Sequence, residues 1–70
     1  MSSHTVIING KVITEFITYK VRENIQYDYN SVDFLEAWEV PMRWDIMSST
    51  YTCCILCSDE QLTFIKLAYV

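Results

Sequence analysis

The stretch HTVIINGKVITEF, His4 to Phe16, decides how the fold is read. Asn9-Gly10 stands between two β-branched runs. That is the strongest short-range hairpin signature, because both central residues of a type I′ turn need positive φ. Counting outward pairs Ile8 with Lys11, Ile7 with Val12, Val6 with Ile13, Thr5 with Thr14 and His4 with Glu15. The alternation continues to Val21, so the second strand is expected to outrun the first: strands over residues 4–8 and 11–21. One face then presents Val6, Ile8, Ile13, Ile17, Tyr19 and Val21 to a core. The other is mixed, with Ile7, Val12 and Phe16 set among Thr5, Thr14, Thr18 and Lys20.

Downstream, Asn30 or Ser31 can cap a helix, Asp33 suits its first turn, and Phe34, Leu35 and Trp38 form a stripe at i, i+1, i+4. Pro41 disfavours helical geometry at Val40, which confines the helix to 31–39. From Met42 the pattern returns to strand. Residues 42–47, 50–57 and 62–69 read as three strands, with SDEQ (58–61) as a four-residue hairpin loop. The last two strands are apolar on both faces. The expected fold is a single α+β domain over 1–70. It is a small antiparallel sheet of about five strands, in chain order β-β-α-β-β-β, with one short helix packed on one face.

A chain of 70 residues buries only about 60% of its unfolded surface, so its core is marginal without disulfide, metal or partner. No basic leader precedes an apolar segment at the start. No apolar run approaches the length of a membrane span, so a cytoplasmic protein without membrane contact is expected. The net charge is −4. The five bases, Lys11, Lys20, Arg22, Arg43 and Lys66, are scattered, which argues against direct binding of nucleic acid. The acids are clustered. Residues 23–39 hold Glu23, Asp28, Asp33, Glu36 and Glu39 and no base, whereas the rest of the chain has four acids and five bases. Most such runs are only a solvated face.

All three cysteines lie in CCILC, Cys53 to Cys57, which raises a metal or redox site. On a strand Cys54 and Cys57 point to opposite faces. Cys53 and Cys57 share a face but stand about 13 Å apart, too far to chelate one ion. Buried thiols behave as small hydrophobes, and core packing is the expected role, an odd cysteine count fitting a reducing compartment. His4 across from Glu15 reads as a cross-strand pair with no nucleophile beside it. A single glycine leaves no phosphate-cradling loop, and no other catalytic motif is present. No catalytic residue, metal ligand or cofactor is expected, and the chain is not expected to be an enzyme.

These readings point to a small protein that acts by binding. Its size and composition are similar to those of accessory and inhibitor proteins of bacteriophages, although no motif carries that likeness. The expected contact is the acidic and aromatic surface of Glu23, Tyr27, Asp28, Tyr29, Asp33, Glu36 and Glu39, with Trp38 among them. Aromatics supply area there and carboxylates supply steering. The expected target is a basic, nucleic-acid-handling protein, and the expected effect is inhibition or regulation. A second expectation is a self-associating structural subunit, a homodimer or larger, using Ile7, Val12 and Phe16 or the edge of the final strand, which ends at Val70. A small cysteine-based metal or redox protein is the third.

Overall fold

The computed structural model describes residues 2–31 and 41–70. It is an α+β fold: a four-stranded antiparallel sheet with two helices. The strands are β1 (Ser2–Asn9), β2 (Gln26–Tyr27), β3 (Met42–Asp45) and β4 (Thr50–Cys57). A short 3₁₀ turn, Gly10–Val12, leads from β1 into α1 (Ile13–Arg22), and α2 (Asp59–Ala68) follows β4. The helix expected over 31–39 lies, from residue 32 onward, outside the described residues.

β4 is the central strand. β1 lies along one side in unbroken register, from Ser2 opposite Cys57 to Asn9 opposite Thr50. Both β2 and β3 pair with its other side, end to end. Being central, β4 is shielded by strands on both sides: Cys53, Ile55 and Cys57 are buried under the helices, and on the opposite face Cys54 is buried and Leu56 half-buried, which accounts for the apolar run in YTCCILC. Val6, Ile8, Cys53, Ile55, Cys57, Tyr27 and Met42 point to one face, and the core forms between that face and the helices. α1 contributes Ile13, Phe16 and Tyr19, and α2 contributes Ile65. The helices meet through rings: Tyr19 and Phe64 are 4.9 Å apart, and Phe16 packs edge-on against Tyr69 at 5.7 Å.

Two expected strands are helices. Residues 11–21 form the 3₁₀ turn and most of α1, so the pairing of β1 with 11–21 does not exist. Asn9 has φ −59° and its side chain accepts a hydrogen bond from Lys11 N at 2.9 Å, which caps a helical turn rather than building a type I′ turn. The physical reason lies in Glu15. As a strand, 11–21 sets this carboxylate among the core-facing residues; as a helix, Ile13, Phe16 and Tyr19 bury while Thr14, Glu15 and Thr18 stay in water. Glu15 then sits in the first turn and Lys20 and Arg22 in the last, which suits the helix dipole. α1 ends in a Schellman motif. Asn24 adopts φ 57°, its N–H bonds to Val21 O, and Ile25 N–H reaches Lys20 O at 2.9 Å.

Residues 62–69 likewise belong to α2 and its end. SDEQ is a capping box, not a hairpin loop. Ser58 Oγ accepts from Gln61 N at 3.2 Å, and Gln61 Oε1 accepts from Ser58 N at 3.0 Å. The pairing expected between 51–57 and 62–68 is replaced by pairing between β4 and β1. The expected strands over 4–8, 42–47 and 50–57 correspond to β1, β3 and β4, while β2 lies where the sequence reads as loop.

Candidate interaction surface

The side of β4 opposite β1 is where the sheet departs from regularity. Tyr27 stands opposite Ile55 and Met42 opposite Cys53. Between those pairs β4 advances two positions while the chain advances fifteen. Asp28 and Met42 thus stand opposite neighbouring residues of β4 although thirteen positions, 29–41, separate them in the sequence. The break is pinned by Asp28. Its N–H bonds to Cys54 O at 2.7 Å, continuing the β2 pairing by one residue. Its carboxylate accepts from Ser3 Oγ at 2.6 Å, Ser31 Oγ at 3.1 Å and Asn30 N at 3.1 Å. These bonds, that from Ser3 foremost, hold the Asp28 carboxyl below its usual range. Cys54 lies beneath, with Sγ 3.0 Å from Ser3 Oγ, and is buried although it is on the face away from the helices.

Upstream of the break, the Asn24 turn throws Glu23 onto the surface and Ile25 into the core. Tyr27 is only 6% exposed and belongs to the core, so it is not available as the contact residue expected from its place among the acids. Lys20 Nζ stands 3.9 Å from the centre of its ring and donates to Ile25 O at 2.9 Å. Burial lowers the Lys20 pKa and raises that of Tyr27. The Tyr27 hydroxyl is buried without a hydrogen-bond partner among the described residues. Asp28 is half-buried and committed to the network just described, whereas Tyr29 is 59% exposed. A groove of about 460 Å³ runs between Lys20, Val21, Asn24 and Tyr29. Asp33, Glu36 and Glu39 lie outside the described residues. Of the described members of the expected contact set, Glu23 and Tyr29 are exposed.

The residues expected to mediate self-association separate. Phe16 is fully buried between the sheet and Tyr69 and has no surface to offer a second copy. Val12 is half-buried against the core. Ile7 is 51% exposed on the face away from the helices. The reason is that 11–21 is helical, so the three residues do not share a face of one sheet.

Cys53 and Cys57 point into the core and Cys54 to the opposite face; all three are free thiols. Burial pushes the Cys53 thiol up to about 12, and burial raises that of Cys57 as well. Both are packed, protonated groups at neutral pH, unlike the exposed thiolates of redox centres. Among the described residues no three His, Cys, Asp or Glu side chains converge as metal ligands. His4 pairs along β1 with Ile55 rather than with Glu15, and its Nε2 is 3.7 Å from the Asp59 carboxylate, beyond hydrogen-bond range.

Sequence reasoning misses a second exposed feature, the tip between β3 and β4. Ile46 is 79% exposed and Met47 91%, with Trp44 beside them on the Tyr51 ring at 4.6 Å. The signal for it was two apolar residues in a turn, read instead as strand. Among the described residues no helix is long and apolar enough to cross a membrane. No family model, no curated protein and no solved structure matches the chain.

Proposed function

We propose that the protein is a non-enzymatic interaction module that docks through its acidic segment, residues 23–39, on a basic surface of a larger protein. The observation behind this reading is the interrupted ladder beside β4. A sheet whose strand could run directly from Asp28 into Met42 instead carries thirteen additional residues. They include Asp33, Glu36 and Glu39 and no Lys or Arg. Long insertions between neighbouring ladder positions are where binding residues concentrate, and the register of the sheet gives no reason for this one. Glu23, upstream, and Tyr29, the first of the thirteen, are exposed and carry the same acidic, aromatic character. Proteins that handle nucleic acid present basic surfaces of the complementary sign, so the module acts as a competitor of DNA or RNA and hence as an inhibitor or regulator.

The test is the triple substitution Asp33→Lys, Glu36→Lys and Glu39→Lys, with partners captured from lysate of the native host at low and high salt. Steering by surface charge predicts a partner retained by the parent chain at low salt, released at high salt, and bound more slowly by the triple variant. Unchanged affinity of the variant at low salt places the contact elsewhere and defeats the reading.

A further inference from the structure

The Asn9–Gly10 pair reads as a turn signature and is not a hairpin in the fold, but it carries a chemistry of its own. The side-chain amide of an asparagine is open to attack by the backbone nitrogen of the residue that follows. Glycine leaves that nitrogen unshielded, because it has no Cβ. The chain has three asparagines, and the other two are followed by Ile25 and Ser31. Asn9 is exposed, and a solvent-open groove of about 390 Å³ is lined by Asn9, Gly10, Lys11, Trp44, Ser48 and Ser49. Water and base therefore reach the link.

The fold withholds the geometry of that attack rather than access to it. Closing the five-membered ring requires Gly10 N to eclipse Cβ about the Asn9 Cα–C bond. Asn9 has φ −59° and ψ 130°. With tetrahedral geometry at Cα, the nitrogen is then roughly 110° of rotation from the eclipsed position. The rotated conformer, at the same φ, lies outside the regions allowed to a residue with a side chain. Hydrogen bonds at three consecutive residues hold Asn9 as it is. Its own N–H donates to Tyr69 O at 3.1 Å, Gly10 N–H donates to Ser49 O at 2.9 Å, and Lys11 N–H donates to Asn9 Oδ1 at 2.9 Å. The attacking nitrogen thus keeps its proton turned onto the β3–β4 turn. Packing closes on the same spot. A Cβ built on Gly10 would stand 2.8 Å from Ser49 O and 2.9 Å from the Trp44 ring, so the Asn9–Gly10 peptide is hemmed in while the junction is seated.

We propose that Asn9–Gly10 is a site of spontaneous covalent modification gated by the fold: Asn9 converts to isoaspartate or aspartate when the β1–α1 junction lifts off the β3–β4 turn, and the seated junction prevents it. In the open chain a base takes the proton from Gly10 N. The nitrogen bonds to Cγ of Asn9, the Cγ–Nδ2 bond breaks, and the amide group leaves as ammonia with a proton from water. An imide ring is closed, with net loss of ammonia. Water then adds to one of the two imide carbonyls, and the bond from that carbonyl to nitrogen breaks. Opening at Cγ gives an aspartate with the main chain restored. Opening at the main-chain carbonyl gives isoaspartate, in which the chain runs through the side-chain carbons.

Either product adds one negative charge to the net −4. Their effects on the fold differ. The aspartate keeps an oxygen for Lys11 N–H and sets a carboxylate at the start of the helical run, where the dipole favours it. The isoaspartate lengthens the main chain by one carbon between β1 and the 3₁₀ turn, so the bonds at Asn9, Gly10 and Lys11 no longer all form. The conversion is a one-way record of how often this junction opens. The inference is independent of what the acidic segment binds.

The experiment incubates the full chain at mildly alkaline pH, with and without denaturing urea, at one temperature. Conversion is followed by mass, as loss of ammonia and then gain of water, and located by peptide mapping. Amide exchange at Gly10 is read on the folded sample. Asn9 is expected to convert at least about tenfold more slowly in the folded chain than in urea, with the Gly10 amide protected by a similar factor, since one opening exposes both. Trp44→Ala removes the ring packed on Gly10 and is expected to speed both processes in the folded chain by about threefold or more. Where that variant fails to fold, the parent in graded urea below its unfolding transition serves instead, conversion and Gly10 exchange being expected to rise together. The purified isoaspartyl form is expected to have lost Gly10 protection, whereas Asn9→Asp keeps it. Folded and denatured chains that convert at one rate overturn the proposal. So does conversion of Asn24 or Asn30 ahead of Asn9 in the denatured chain, or conversion of Asn9 while Gly10 stays fully protected. Faster Gly10 exchange with no faster conversion, in Trp44→Ala or in graded urea, also overturns it, as does an isoaspartyl form with Gly10 protected as in the parent.

Discussion

Gly10 is held small by its neighbours. A Cβ there stands 2.8 Å from Ser49 O and 2.9 Å from the Trp44 ring, because Gly10 N–H bonds to Ser49 O and draws the two turns together. Gly10→Ala is expected to cost about 1–3 kcal/mol by overpacking, measured by chemical denaturation. Gly10→Asn should cost more than Ala, since size is the constraint and φ at this glycine is not positive. In a type I′ turn Asn would be the better tolerated of the two, so the order of the variants discriminates. Tyr27 makes the opposite case. Its hydroxyl is buried without a partner among the described residues, so Tyr27→Phe should stabilise the fold by about 1 kcal/mol and leave binding unchanged. A variant that melts lower contradicts this account of the site. Asp28 supplies the pH dependence. Its folded pKa is depressed below the ordinary 3.8, first by the Ser3 hydroxyl and then by Asn30 N–H. A carboxyl depressed on folding adds stability above its unfolded pKa and loses it as pH falls through the folded value. The stability gap between the parent and Asp28→Asn should therefore be fully open at neutral pH and narrow below about pH 4. A gap that persists unchanged at pH 2 removes the hydrogen-bonded carboxylate as its cause.

At the scale of elements, β1, β3 and β4 were legible because β-branched and aromatic residues alternate there. α1 and α2 were not, because the same residue types fill them. ITEFITYKVR is rich in strand formers, and its helix is fixed by tertiary packing of Ile13, Phe16 and Tyr19 against the sheet. Two signals did favour helix: Glu15 amid the apolar positions of a strand reading, and the S-x-x-Q spacing of Ser58 and Gln61. The second is testable. Ser58→Ala removes the acceptor for Gln61 N–H and should cost about 1 kcal/mol, seen as a lowered denaturation midpoint. A hairpin loop at the same place would be nearly indifferent to that change. Of the expected contact residues, Tyr27 misled because its acidic neighbours say nothing about the direction of its side chain. The Gln26–Tyr27 pairing with β4 turns that ring to the core. Ile7, Val12 and Phe16 were grouped only by a strand that is not there. Asp28, by contrast, stood out as an acid but not as the anchor of an open ladder. That role depends on Ser3, distant in sequence and brought close only by the sheet.

The molecule as a whole divides into two sides about a central β4, with β1 on one and β2 and β3, broken between Asp28 and Met42, on the other. One construction tests that division. Excising 29–41 joins Asp28 directly to Met42. Asp28 already lies opposite Cys54 and Met42 opposite Cys53, so the joined strand keeps both pairings and both side-chain faces. No turn is needed at the junction. The excised chain loses the bonds from Asn30 and Ser31 to Asp28 and the fully buried Pro41, so its stability should fall. The Ser3 bond to Asp28 and the two-helix core remain. It is expected to melt cooperatively, with the helical and strand signals of the parent in circular dichroism. Removing three acids and no base takes its net charge from −4 to −1. Salt-sensitive capture of a basic partner should disappear. An excised chain that cannot fold makes 29–41 a structural part of the core and ends its reading as an added docking segment. One that folds and still captures the partner moves the contact to another surface, the exposed Ile46 and Met47 tip being the next to substitute.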